Sequence, residues 1–432
     1  MEVNMKHIRI LACILGLWFI SAAWAQQPPG MRHMGRHLPK PSATVSPSIT
    51  VQADTARTVK FHDLGHYPHG TWAEPWGINK AGVVVGMGDI ASGYTRPISV
   101  PLFGPHAGKW FDLGTLGGET TATYAMCMAI ADTGMIVGHA PITGNEIIHA
   151  FAWTPDTRKV DIGTLADIGY TGYEFSIAWG TNRSGTLIVG WSASGMDSDS
   201  LFGPTADALP VVWTPNVAWK SGQWKLKWQI HKLDTTGFEG FGPWAALFPN
   251  DRGQILGIAV GADGTLIGVL WTPTSSGEDW KIKQLPGAPG YNTVYPVDMN
   301  NNGEIVGDVL TIDTLTGEWT AEFPAYWKPT DRSGVHFNVT VLPTLGGYLF
   351  GAGDGEGIND VGDIVGGSTD ADGNYYATGW STKDPNFAPK LLPSPRRPGS
   401  WSWASKVNHY GIVSGSYGNE TVPENAAVWT LR

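Results

Sequence analysis

Cysteine is nearly absent. Of two cysteines in 432 residues, Cys13 lies in an apolar run at the start of the chain and Cys127 is left without a partner. No internal disulfide can hold this fold, so its stability must come from a large core. Charge is also scarce, at 15% of residues against about 25% in an average soluble domain. That shortage excludes a coiled coil and a long solvated disordered chain. Basic residues are in deficit, with 28 Lys and Arg against 38 Asp and Glu and a net charge of −10. A surface of that sign argues against DNA, RNA and anionic membranes as partners. No glycine-rich segment carries the lysine of a phosphate loop or opens a helical pattern.

The first 25 residues read as a secretory signal. Lys6 and Arg9 form the positive start of an apolar run from Ile8 to Ile20, and Ala23-Trp24-Ala25 forms a small-residue cleavage site. The run is shorter than the roughly 20 residues of a spanning helix, and nothing later approaches that length, so no membrane span is expected. The expected location is secreted or periplasmic. Residues 26–57 hold five prolines and the stretch Met31 to His37, which read as a disordered Pro-rich linker.

What is abundant is glycine, with 57 residues, and tryptophan, with 21. The glycines belong to a unit that recurs seven times, as in Ile78-Asn-Lys-Ala-Gly-Val-Val-Val-Gly86 and Ile358-Asn-Asp-Val-Gly-Asp-Ile-Val-Gly366. Six of the seven copies carry Asn three residues before the first Gly. The copy from Thr181 to Gly190 is one residue longer, and in the copy ending at Gly138 Ala131 replaces the Asn. Asn followed by Gly at the fourth position predicts a type I turn between two apolar strands. The glycine that ends each unit is expected to let neighbouring blades approach near an axis.

A third strand follows each hairpin and in six copies ends in Trp: Trp153, Trp213, Trp271, Trp327, Trp380 and Trp429. A fourth strand closes each unit, as in Trp110 to Gly114 and Val339 to Pro343. Four short strands in roughly 50 residues, seven times over, predict an all-β, seven-bladed β-propeller of four-stranded blades. The blades fall at about 72–116, 122–165, 174–234, 242–286, 293–344, 352–393 and 401–431, within one domain spanning 58–432. The last blade lacks a strand, and Val59 to Leu64 matches the fourth-strand pattern. That N-terminal strand is expected to close the last blade and remove a free edge.

Asp112-Leu-Gly-Thr-Leu-Gly-Gly118, the Asn-x-x-Gly hairpins and His149-Ala-Phe-Ala-Trp153 resemble the extracellular HAF-family repeat. The resemblance spans about residues 59–432. It implies a secreted bacterial repeat protein, and it implies no reaction, because that family carries no shared catalytic motif.

Up-and-down topology puts the blade-joining loops and the second-to-third-strand loops on one face. Two insertions, about Ser192 to Leu209 and Asp308 to Trp319, fall there, whereas several third-to-fourth-strand turns are short. Long loops on a rigid scaffold are where binding concentrates. Aromatics recur in them, and the candidate ligand-binding set is Trp72, Trp76, Tyr124, Tyr173, Phe241, Trp244, Tyr295, Phe350, Trp401 and Trp403. Aromatic faces stack on sugar rings, so this set predicts an aromatic-rimmed funnel, and packing between blades is the alternative.

The expected function is a non-catalytic binding or adhesion module whose partner is an extracellular glycan or a protein. A polysaccharide-active hydrolase or lyase is the alternative, using loop carboxylates among Glu74, Glu119, Glu174, Glu239 and Glu356. A protein-interaction scaffold is the third reading. No cofactor is expected. His62, His66 and His69, and the turn Asp370-Ala-Asp-Gly-Asn374, read as polar loops before they read as metal ligands. Cys127 reads as a small buried apolar residue before a nucleophile.

Overall fold

The computed structural model describes residues 59–91, 94–118, 125–144, 147–195, 207–220, 223–261, 263–275, 279–316, 319–347, 353–395, 399–419 and 424–431. The expected leader and linker, Tyr124, Phe350 and Glu119 lie outside these residues.

Seven separate sheets of four antiparallel strands make up the chain, and within each the strands pair mostly in chain order. The innermost strands are Ala73–Ile78, Met126–Ile130, Phe175–Thr181, Trp244–Pro249, Thr293–Met299, Gly353–Ile358 and Trp401–Val407. This is the seven-bladed β-propeller that the repeat predicts. The seventh sheet runs Trp401–Val407, Ile412–Gly418, Asn425–Thr430 and then Lys60–Gly65, so the N-terminal strand completes the blade that holds the C-terminal one. Lys60 pairs with Thr430 and Asp63 with Ala427. The Tyr417 hydroxyl donates to Asp63 Oδ2 at 2.8 Å, and Phe61 meets Trp429 at 5.8 Å between ring centroids.

Every Asn-x-x-Gly unit forms its turn. The glycine N–H donates to the carbonyl of the first residue at 3.0–3.1 Å in all seven blades. The glycines lie at φ of 70–87°, the left-handed region that a side chain disfavours. The Asn side chains also tie neighbouring blades together. Nδ2 of Asn79 donates to the Ala131 carbonyl, Asn250 to Asn300, Asn300 to Asn359, Asn359 to Asn408, and Asn408 back to Asn79, at 2.9–3.3 Å. Two links in that circle differ. Ala131 has no amide to offer blade three, and in the longer turn of blade three the Asn182 amide donates instead to Ser184 Oγ and Thr186 Oγ1.

The second glycine of the unit has a different role from the expected one. A Cβ on Gly86, Gly138, Gly190, Gly257, Gly307 or Gly415 would come closer than 3.0 Å to a carbonyl oxygen of the innermost strand of its own blade. The cause is a β-bulge. All seven innermost strands shift register at the same place, between Pro75 and Gly77 in blade one and between Pro296 and Asp298 in blade five, for example. The extra residue turns the strand so that its carbonyl crosses over the partner glycine. The close approach is therefore within a blade, not between blades.

The third-strand tryptophans close the seams between blades. Trp213, Trp271, Trp327, Trp380 and Trp429 are buried. Nε1 of Trp271, Trp327, Trp380 and Trp429 donates to the carbonyl of Asp234, Pro286, Pro343 and Pro393, each at the end of the preceding blade, at 2.6–2.8 Å. Each ring supplies apolar burial, and in these last four the N–H fixes its orientation.

The axis is filled. The bulge residues Trp76, Met128, Trp179 and Val297, with Leu247 in blade four, join one buried apolar cluster. From blade seven, Lys406 places Nζ 3.4 Å from Asp298 Oδ2 and 4.0 Å from the Phe248 ring centroid, and it donates to the Glu356 carbonyl at 2.8 Å. These groups belong to blades five, four and six, so the side chain reaches across the axis. On the turn face Arg183 of blade three pairs with Asp360 of blade six.

Two loop expectations change. The segment from Asp308 to Trp319 is not a free insertion, because its ends lengthen the paired strands Ile305–Ile312 and Trp319–Pro329. In blade three the third and outer strands, Leu209–Lys220 and Gln223–Lys232, stay paired for longer than in the other blades, out to Lys220 opposite Gln223.

Candidate functional site

On the loop face, at the junction of blades three and four, lies a cleft of about 460 Å³. That is within the usual size of small-ligand sites. Its walls come from the start of the third strand of blade three (Asp207 to Leu209), from Lys232 and Asp234 at the end of the outer strand, and from the blade-joining loop up to Trp244. Tyr173 closes one side.

The loop from Thr235 to Gly242 is shaped by its own sequence. Gly237 and Gly240 take φ of 90° and 87°, and Phe238 N donates to Thr235 O and Phe241 N to Phe238 O, both at 3.2 Å. These successive turns stack Phe238 against Phe241 and Trp244, with ring centroids 6.0 and 6.1 Å apart and near-perpendicular planes. Trp244 is buried and donates Nε1 to the Phe241 carbonyl at 2.9 Å, so the ring that anchors the loop also fixes the aromatic wall. Opposite, a short 3-10 helix, Leu165–Ile168, is held by a capping box between Thr164 and Asp167 and stopped by Gly169 at φ 96°. The loop after it holds Tyr173, whose carbonyl accepts from Ala166 N at 3.1 Å and whose hydroxyl donates to the Asp207 carbonyl at 3.2 Å.

Two carboxylates are fixed in this wall. Asp234 Oδ1 accepts from the Thr236 hydroxyl at 2.6 Å and from its N–H at 3.0 Å, and these bonds, the hydroxyl first, hold its pKa below the usual range. Glu239 Oε1 accepts from Gly237 N at 3.1 Å, and backbone hydrogen bonds likewise lower its pKa. Burial raises the Tyr173 phenol. At neutral pH the cleft therefore offers two ionised acceptors, a lysine and a neutral phenol beside an aromatic wall.

The ten residues singled out in the sequence divide. Tyr173, Phe241 and Trp244 meet at this cleft. Trp72, Trp76 and Tyr295 are buried in the axial cluster, with Trp403 packed against it. These three start or occupy innermost strands, so the apolar cluster covers them, and packing is the role their surroundings give. Trp401 is half-buried at the start of its strand. Phe238, Asp234 and Lys232 belong to the cleft but not to the predicted set. The signal that could have found them is one linker, Asp234 to Trp244, holding three aromatics and three glycines.

The other candidates are placed as follows. Glu74 and Glu356 are buried, while Glu174 and Glu239 are exposed. Among the described residues no three His, Cys, Asp or Glu side chains gather as a metal site. Asp370 Oδ1 accepts from the N–H groups of Asp372 and Asn374, both at 2.9 Å, which makes that stretch a turn. Cys127 is buried, and burial pushes its thiol up to about 12, so it stays protonated.

No family model and no curated protein matches the chain. Solved structures do. A Trypanosoma rangeli sialidase aligns at 11% identity over 87% of this chain and 59% of its own, with a TM-score of 0.40. The BP39L lectin of Burkholderia pseudomallei aligns at 12% identity over 85% of this chain and 97% of its own, with a TM-score of 0.40. A prolyl endopeptidase aligns at 10% identity over 83% of this chain and 46% of its own, with a TM-score of 0.43. The chain thus spans about three-fifths of the sialidase it matches.

Proposed function

We propose that the chain is a secreted carbohydrate-binding β-propeller, and that glycan lodges in the cleft between blades three and four. Secretion rests on the leader read from residues 1–25, and the HAF-like repeat fits an extracellular bacterial protein. One observation carries the binding reading: Phe241 and Phe238 form an apolar wall beside two carboxylates that loop hydrogen bonds keep ionised. A sugar presents C–H groups to such a wall and hydroxyl donors to such acceptors.

The test is a glycan array, followed by calorimetry on any hit with the chain and its Phe241→Ala and Asp234→Asn variants. Binding that weakens at least tenfold in both variants, with thermal unfolding little changed, supports the reading. A chain that retains no glycan, or variants that bind like the parent, overturns it. A hydrolase or lyase using the same cleft is the second reading, and product release from a bound polysaccharide would establish it. A glycosidase acid must keep its proton near neutral pH. Asp234 and Glu239 are both shifted the other way, so binding without turnover is the outcome expected at this cleft.

A further inference from the structure

The cleft carries more of one charge than of the other. Asp207, Asp234 and Glu239 line it, against one cation, Lys232. Asp234 and Glu239 are exposed, and hydrogen bonds from their own loop hold them in place. Elsewhere in the molecule fixed carboxylates meet a cation, as Asp298 meets Lys406 and Asp360 meets Arg183. Among the described residues no cation lies within ion-pairing distance of Asp234 or Glu239. Lys232 acts on Asp234 only through space and less than the Thr236 bonds do, and its Nζ stands 5.9 Å from the Tyr170 ring centroid. The loop bonds also keep both acids below the usual carboxylate range, so they stay charged in weakly acid solution.

The aromatic wall leans the same way. The face of a phenyl ring carries the negative end of its quadrupole and attracts a cation placed over it. Phe238 and Phe241 are half-buried, so part of each ring stays accessible. The net charge of −10 adds a field of the same sign over the whole surface. An anionic sugar is repelled here. A neutral sugar exchanges hydroxyl bonds to water for hydroxyl bonds to the carboxylates. An ammonium gains a charge-assisted bond in which both partners are ionised, roughly twice as strong as a neutral one.

We infer that the glycan of this cleft is an amino sugar whose amine is unacetylated, a hexosamine oligomer. The inference rests on the carbohydrate reading above and narrows it. The C–H face of the ring lies on Phe241 and Phe238, and the ammonium meets Asp234 and Glu239. Acetylation of the amine removes the charge that the two acids recognise. A basic peptide offers the charge without the flat apolar face, and its long side chains lose more rotamer freedom on binding.

The experiment is calorimetry of the full chain with a glucosamine tetramer, its N-acetylated counterpart and tetralysine, below the pKa of the sugar amine and at two salt concentrations. The glucosamine tetramer is expected to bind about tenfold more tightly than the N-acetylated one, with the margin shrinking as salt rises. An Asp234→Asn/Glu239→Gln variant should bring the two tetramers to equal affinity. Phe241→Ala should weaken the glucosamine tetramer and leave tetralysine unchanged, which separates lodging in the cleft from attraction to an acidic surface. Thermal unfolding of both variants should stay that of the parent. Equal or tighter binding of the N-acetylated tetramer overturns this inference and leaves the carbohydrate reading standing. So does binding of neither tetramer when the array retains other glycans, whereas with an empty array both fall. Tetralysine held as tightly as the glucosamine tetramer, or a margin that survives in the double variant, also overturns the inference.

Discussion

The two faces of this propeller obey different rules. On the turn face the chain repeats itself: seven Gly N–H donors close seven turns at 3.0–3.1 Å, and five Asn side chains pass from blade to blade. On the loop face the connections vary more, although Thr115 and Thr344 close the same Thr-Leu-Gly-Gly turn, and among the described residues the linker Asp234 to Trp244 builds a walled cleft. Repetition marks where the fold is determined, and departure from it marks where chemistry can be added.

That contrast can be broken experimentally, and the largest effect should come from the seams. Trp327→Ala removes a buried ring and its 2.8 Å bond to Pro286, and should cost about 4 kcal/mol in urea unfolding. Gly307→Ala drives a methyl into the Tyr295 carbonyl, and a loss of about 3 kcal/mol is expected. A near-neutral result there would show that the bulge relaxes easily. Asn408→Ala and Asn182→Ala sharpen the comparison within the turn face. Both remove a turn acceptor, but only Asn408 also bonds the next blade, so its variant should be less stable by about a further 1 kcal/mol. On the loop face Asp234→Asn should shift stability by less than about 0.5 kcal/mol while weakening glycan binding.

A pH test addresses the seam between blades one and two. Lys159 of blade two donates to the Gly114 carbonyl, sits 3.9 Å from the Phe151 ring centroid, and has its pKa lowered to about 8 by burial. Above pH 8 the folded chain has lost that proton while the unfolded chain, with its ordinary value of 10.5, still holds it. The contribution of Lys159 to stability therefore rises with pH from about 8 to 10.5. Lys159→Met should remove that rise from a stability–pH profile, and an unchanged profile would show that another group produces it.

Most of the architecture was legible in the sequence because it is repeated. Asn79, Gly82 and Trp271 each belong to a unit that recurs along the chain, and the unpaired Val59 to Leu64 could be assigned by its likeness to Phe111-Asp-Leu-Gly114. The bulge was not legible, since one extra residue in a strand leaves an apolar run looking like any other. Its trace was the second glycine, which the sequence alone could assign to either side of a blade. The longer pairing in blade three escaped because Ile230 to Asp234 fits the fourth-strand pattern, and nothing local says that pairing continues to Gln223. Aromatic loop residues were the least legible. Trp72 and Phe241 both precede an innermost strand, yet one is sealed in the axis and the other walls a cleft. Only the packing of non-neighbouring blades separates them.

Ala131 and the longer turn at Asn182 have a mechanical consequence. The amide circle is complete from blade four through seven to two, and it is missing on both sides of blade three. Blade three is fastened there by other bonds: Asp132 N donates to the Arg183 carbonyl, Ser184 N to Asp251 Oδ1, and Arg183 pairs with Asp360. Half of the cleft is mounted on that one blade. A ligand in the cleft therefore bears on the blade whose turn-face ties depart from the repeat.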